Sequence, residues 1–139
     1  ISEIDNNFLD KIFKTNIYSV FWGSKASAKS LSENGTIINI SSIAGKRGSK
    51  NNSAYVASKF GLLGFSRSMR SELREHNIKV VSVHPGAVDT AFWNNVKGDF
   101  PRSEMMDSKN VANSIAHAIC VPDNMVIEEL DIQRTEGEF

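Results

Sequence analysis

The chain has 139 residues, 40% of them apolar and 23% charged, which suits one globular domain and excludes two. Sixteen Lys and Arg balance sixteen Asp and Glu, so there is no basic excess to hold a phosphate backbone or an anionic bilayer, and neither nucleic acid nor membrane is expected as a partner. The single cysteine, Cys120, cannot close an internal disulfide, and His76, His84 and His117 are too scattered for zinc ligands. No metal is expected, and a reduced, cytoplasmic setting is the default. No apolar run approaches the roughly 20 residues of a membrane span.

Residues 6–32 read as one long helix, because Phe8, Leu9, Ile12, Phe13, Ile17, Val20 and Phe21 recur at the spacing of one helical face. Asn34-Gly35 ends it, and the β-branched run 36–41 fits a buried strand. A polar, glycine-containing loop follows from Gly45 to Asn52, after which Ser53 is expected to cap a second helix reaching about His76. Residues 78–83 read as a second strand, closed by His84-Pro85-Gly86. Residues 91–106 show no clean period and suggest a mobile loop or lid. Asp107 or Ser108 then caps a third helix carrying Val111, Ile115, Ala118 and Ile119, Pro122 follows it, and 126–132 is the last predicted strand.

Alternating helices and strands predict an α/β fold with a parallel sheet, since parallel neighbours need crossover connections. Three strands cannot bury both faces under helices of this length. With Ile1 in place of an opening methionine, this leads to the expectation that an N-terminal half is absent and that residues 1–139 are part of a larger domain.

Tyr55 and Lys59 stand four apart near the start of the second helix, so their side chains leave the same face. A cation about 4 Å from a phenol would stabilise the phenolate by roughly 4 kcal/mol, about three pH units, and let Tyr55 exchange protons near neutrality. On its own the pair also fits a surface tyrosine beside a solvated lysine. Ser42 follows the first strand, at the sheet edge where open parallel sheets bind ligands, or is an ordinary turn residue. Asn16 lies on the apolar face of the first helix and needs a partner, either in a bond between helices or in a proton relay. Residues 84–90 either turn the chain or form a backbone shelf for a flat, amide-bearing ring, with glycine permitting close approach.

Three segments, 34–45 (Asn-Gly-Thr-Ile-Ile-Asn-Ile-Ser-Ser-Ile-Ala-Gly), 53–61 (Ser-Ala-Tyr-Val-Ala-Ser-Lys-Phe-Gly) and 83–90 (Val-His-Pro-Gly-Ala-Val-Asp-Thr), together resemble the short-chain dehydrogenase/reductase family in order and spacing. The resemblance runs from about Phe8 to Gln133. It implies the C-terminal part of a Rossmann-like, doubly wound parallel sheet and an NAD(P)-dependent oxidoreductase acting on a carbonyl or secondary alcohol. It further implies Tyr55 as general acid/base, Ser42 orienting the substrate oxygen, Lys59 lowering the tyrosine pKa and binding the nicotinamide ribose, and Asn16 holding a relay water. Pro85, Gly86, Val88 and Thr90 would cradle the nicotinamide, and 91–106 would be the substrate lid, with Phe92, Trp93, Met105 and Met106 favouring apolar bulk. The cofactor would be NAD or NADP, with NADP favoured, and the protein would be a homodimer or homotetramer paired through its two long helices.

One departure stands out. The glycine-rich turn that seats a pyrophosphate is missing, and Gly45-x-x-Gly48 is no substitute because its loop leads toward the tyrosine. Gly64-Phe65-Ser66-Arg67-Ser68 lacks the second glycine of a hydrolase nucleophile elbow and lies inside a helix. The rival reading is therefore a truncated or non-catalytic interaction protein that keeps the same fold. Ala57, Gly61, Gly64 and Ser68 form a small-residue row on the second helix, suited either to packing within the chain or to a subunit contact.

Overall fold

The turn at Asn34-Gly35, where Asn34 takes a left-handed backbone (φ 67°), delivers the β-branched run that follows into a parallel sheet. The computed structural model describes residues 1, 3–96 and 98–138. In chain order its elements are α1 (Asn6–Phe13), a π-helical turn (Lys14–Tyr18), α2 (Ser19–Ser30), β1 (Thr36–Ile40), α3 (Ser53–Leu73), β2 (Lys79–Pro85), the short strands β3 (Val88–Asp89) and β4 (Met106–Asp107), α4 (Ser108–Ile119) and β5 (Glu129–Ile132). The main sheet has the order β1-β2-β5, all parallel, with Ile40 opposite Val83 and Pro85 opposite Ile132. Parallel pairing brings Ser42, Pro85 and Gln133 to one edge of the sheet, beyond the carboxyl ends of their strands.

The apolar stripe of α3 covers this sheet. Met69 joins Ile37, Ile78 and Val80 in a buried cluster, with Phe65 and Leu73 packed against it. Burying side chains of this size contributes about 1.5–3 kcal/mol each. Beneath the stripe lies a buried guanidinium: Arg70 donates from Nε to the Val80 carbonyl (2.8 Å) and from Nη2 to the Glu128 carbonyl (2.6 Å), tying α3 to β2 and to the approach of β5.

Several elements differ from the sequence expectation. The single helix over 6–32 is broken by the π turn, because a one-residue widening leaves the apolar period almost unchanged. Asn52, without a side-chain bond, occupies the cap position expected for Ser53, which is the first helical residue. The helix itself ends at Leu73, and a 3-10 turn, Arg74–His76, completes the span. The second strand runs on to Pro85, tolerated at a strand end where no ladder donor is needed. The lid contains two 3-10 turns (Ala91–Asn95 and Arg102–Glu104) and the short β3-β4 pair. Asp107 caps α4 by accepting from the Lys109 amide.

The far edge of β1 carries no partner strand among the described residues. A groove of about 440 Å³ runs along it, walled by Val20, Gly23, Ser24 and Ser27 of α2 and by Leu31. Ile40 is 50% exposed, and Phe8, Tyr18, Phe21, Trp22 and Phe60 are also exposed on the helices. No helix is long and apolar enough to cross a membrane among the described residues.

Candidate active site

Ser42 leaves β1 in extended backbone (φ −166°, ψ 161°) and caps the 3-10 turn Ile43–Gly45, its hydroxyl accepting from the Ala44 amide at 3.2 Å. The same hydroxyl reaches the Pro85 carbonyl at 3.5 Å, and the Ser42 carbonyl meets Nδ1 of His84 at 3.3 Å. The turn can close because Gly45 has no side chain, since a Cβ there would lie 2.8 Å from the Lys59 carbonyl. Gly45 thus brings the Ser42 loop against the helix that carries Tyr55 and Lys59. Sequence reasoning placed Gly45 in a polar loop and in the segment that resembles the family, without this packing role.

Tyr55 and Lys59 project from the first turns of α3, as their spacing requires, and the Ser42 side chain lies near enough to the Tyr55 phenol to favour its ionised form. The expected electrostatics need correction. Burial pushes the Tyr55 phenol above its usual value, opposed by the Ser42 side chain. Burial also lowers the Lys59 ammonium. Lys59 Nζ lies 5.6 Å from the centre of the tyrosine ring and donates to the Ile40 carbonyl at 3.3 Å, so its charge is not seated on the phenolic oxygen. The phenol is thereby held protonated, and the expected fall of three pH units does not occur.

Asn16 sits within the π turn and donates from Nδ2 to Ser58 Oγ at 3.0 Å, while Ser58 donates to the Tyr55 carbonyl at 2.7 Å. A bond between helices therefore engages Nδ2 of this amide, and it leads to the backbone of Tyr55, not its hydroxyl. A π turn displaces the backbone bonds around it and is frequent at functional sites.

The shelf is held by its own chain. Gly86 N–H donates to the Ile132 carbonyl (2.8 Å), the Ala87 carbonyl accepts from the Met106 amide (3.0 Å), and the Val88 carbonyl accepts from Trp93 Nε1 (2.8 Å). What each carbonyl still offers a ligand is its second lone pair. The expected close approach at Gly86 is made by Gln133, whose Oε1 would be 1.8 Å from a Cβ placed there. Thr90 opens the first lid turn, and its carbonyl accepts from Arg102 Nη2 (2.9 Å). Arg102 also binds Asp89 and Asn94, a latch that the aperiodic lid sequence gave no reason to expect. Phe92, 56% exposed, has its ring centre 6.5 Å from that of Tyr55, and Trp93 stacks between Phe92 (5.6 Å) and Phe100 (4.6 Å). Met105, within the lid, is buried.

His84 is fully buried, and its imidazole is held neutral by burial and then by the nearby Lys46 charge, against the Ser42 carbonyl, Asp131 and Glu129. Among the described residues no carboxylate pairs with Lys59, so its desolvated ammonium keeps donors available beside Tyr55. That donor set fits the hydroxyl groups of a ribose at the nicotinamide end of a dinucleotide. No group of three or more His, Cys, Asp or Glu suited to a metal ion occurs among the described residues.

The family model described as short chain dehydrogenase matches residues 1–99. Sepiapterin reductase of Chlorobaculum tepidum is 29% identical over 141 aligned positions, covering 100% of this chain and 57% of the relative. Trans-4-hydroxycyclohexanecarboxylate dehydrogenase of Sinomonas cyclohexanicum is 38% identical over 99 positions, covering 68% of this chain and 38% of the relative. The crystal structure of a short-chain dehydrogenase from Burkholderia cenocepacia in complex with NADP superposes with a TM-score of 0.83 at 25% identity, over 95% of this chain and 58% of that one. The chain thus spans little more than half the length of these relatives, or less.

Proposed function

Because the chain belongs to the short-chain dehydrogenase family, we propose that it is the proton-handling part of an NAD(P)-dependent oxidoreductase acting on a carbonyl or secondary alcohol, with Tyr55 as general acid/base. The observation that carries this reading is the juxtaposition of Ser42, Tyr55 and Lys59 at the carboxyl edge of a parallel sheet. A bound reduced nicotinamide supplies the hydride. In the reducing direction the Ser42 hydroxyl donates to the substrate oxygen and orients it, and Tyr55 Oη delivers the proton to that oxygen as it gains charge. A phenol held protonated by burial suits this donor role, and Ser42, whose side chain favours the ionised phenol, eases release of the proton. Lys59 binds the nicotinamide ribose, Pro85, Gly86, Val88 and Thr90 face the ring, and Asn16 with the π turn lines a relay water. Phe92 and Trp93 wall the substrate side, which favours an apolar substituent.

NADP is the favoured cofactor, supported by the NADP-bound Burkholderia cenocepacia relative. The protein is read as cytoplasmic, from its cysteine usage, and as a homodimer or homotetramer, the assembly supported by the exposed aromatics Phe21, Trp22 and Phe60 and by the open face at Gly64, where a Cβ would meet nothing within 4 Å. Gly61, by contrast, packs on Ile17 of its own chain, so the small-residue row serves both purposes. A second reading is the same fold without turnover, as a non-catalytic interaction or regulatory protein.

The deciding experiment follows consumption of NADPH and NADH by the protein as its gene encodes it, against a panel of aldehydes and ketones. Carbonyl-dependent oxidation of either cofactor is the expected result. A folded protein that consumes neither with any carbonyl contradicts the reading and leaves the non-catalytic one standing.

A further inference from the structure

Gln133 is the first residue after β5, and the register that sets Pro85 opposite Ile132 carries Gly86 and Gln133 side by side one step further on. Gly86 has no positive φ, so its backbone does not demand glycine. The demand is for space. A Cβ on Gly86 would lie 1.8 Å from Gln133 Oε1 and 2.7 Å from its Cδ, closer than any packed side chain tolerates. The carboxamide cannot swing aside freely, because Oε1 accepts from the Arg134 amide (3.2 Å) and Nε2 is buried. Nε2 has no hydrogen-bond partner among the described residues, a condition that costs stability and that an apolar side chain would avoid. Being buried, it does not line an open ligand site, so the amide supports the shelf from behind. Arg134 continues from this contact to Glu104 of the second lid turn at 3.0 Å, bracing the support against the lid.

We infer that Gln133 is a positioning residue for the shelf: its carboxamide, packed into the space that a side chain at position 86 would fill, fixes the level at which Pro85-Gly86 meets the nicotinamide ring. This rests on the dinucleotide reading above. The role is separate from that of Tyr55, Ser42 and Lys59, since Gln133 acts through Gly86 and touches no reacting atom.

The test compares wild type, Gly86→Ala, Gln133→Ala and the double variant, in the protein as its gene encodes it, by NADPH titration followed by fluorescence and by thermal melts. Gly86→Ala should weaken NADPH binding about tenfold or more, Gln133→Ala about threefold, and the double variant should return to within about threefold of Gln133→Ala, because the clash is relieved. The melting temperature of Gln133→Ala should hold or rise, since an unsatisfied amide is removed, and a merely structural role would instead lower it and leave affinity unchanged. If Gly86→Ala fails to fold, recovery of folding and binding in the double variant supports the inference. Unaltered affinity in Gln133→Ala, or a double variant no better than Gly86→Ala, overturns it. A wild type that binds neither NADPH nor NADH instead overturns the dinucleotide reading itself, and this inference with it.

Discussion

Ile40 and Val83 face each other across β1 and β2, yet Ile40 is 50% exposed while Val83 is fully buried. The contrast extends along the whole sheet. On the β5 side, Glu129 binds Arg67 (2.7 Å) and Lys46 (2.9 Å), Lys46 also binds Asp131 (2.6 Å), and Arg70 is buried against the Glu128 carbonyl. On the β1 side the strand edge is unpaired among the described residues and opens onto a groove walled by Val20, Gly23, Ser24 and Ser27. The candidate site lies between, and the difference shows which side orders it. Gly45 against Lys59, His84 against Ser42 and Gln133 against Gly86 all belong to β2, α3 and β5 or their connections, so Ser42 and Tyr55 are placed without help from beyond β1.

If that contrast is real, matched substitutions on the two sides should behave differently. The largest effect is expected at Arg70, where replacement by methionine strands the buried Val80 and Glu128 carbonyls. Arg70→Met should cost about 3 kcal/mol in urea denaturation, against less than about 1 kcal/mol for Trp22→Ser on the exposed face of α2. Next come the facing residues themselves. Val83→Ala should cost about 2 kcal/mol, whereas Ile40→Lys should stay within about 0.5 kcal/mol and reduce light scattering, because a charge on an open edge discourages strand addition. Equal losses at the two positions would erase the distinction between the edges.

Smaller effects sharpen the picture near the site. Ser58→Ala removes the hydroxyl that accepts from Asn16 and should cost about 1 kcal/mol by thermal melt, with Asn16→Ala no worse in the Ser58→Ala background than alone. The smallest effect is a pH dependence. Arg67 first, and Lys46 after it, hold Glu129 down at about 2 against an ordinary value of 4.5, with burial opposing. A depressed carboxylate stabilises the fold above its unfolded value, so this contribution is complete above about 4.5 and is lost as pH falls toward 2. Denaturation midpoints of Glu129→Gln should therefore vary less than wild type over that acid window, and an identical slope would show that the ion pairs contribute nothing.

The parallel α/β order was legible because β-branched runs alternate with helical periods, and because Tyr55, Lys59, Ser42 and the Pro85-Gly86 turn keep fixed spacings. Less legible was anything that depends on one residue more or less per turn. The π turn at Lys14–Tyr18 left the periodicity of Phe13, Ile17 and Val20 intact, and the two-residue strands β3 and β4 are too short to show alternation. The site's electrostatics were misjudged for a related reason. Sequence spacing places Tyr55 and Lys59 on one face, but it cannot show that the ammonium turns to the Ile40 carbonyl and that burial acts on both groups. Gln133 and Arg70 were invisible, since the packing of Gln133 on Gly86 and the bonds of Arg70 to the Val80 and Glu128 carbonyls are set by strand register and not by sequence spacing.

The central claim, that Tyr55 carries the proton in a nicotinamide-dependent reaction, is tested most directly by steady-state turnover of Tyr55→Phe in the protein as its gene encodes it. NADPH affinity is measured alongside to show that the site still forms. The account predicts that turnover falls by at least about 10²-fold, equivalent to about 2.7 kcal/mol of transition-state stabilisation, with cofactor affinity changed less than about threefold. Undiminished turnover in Tyr55→Phe would contradict it.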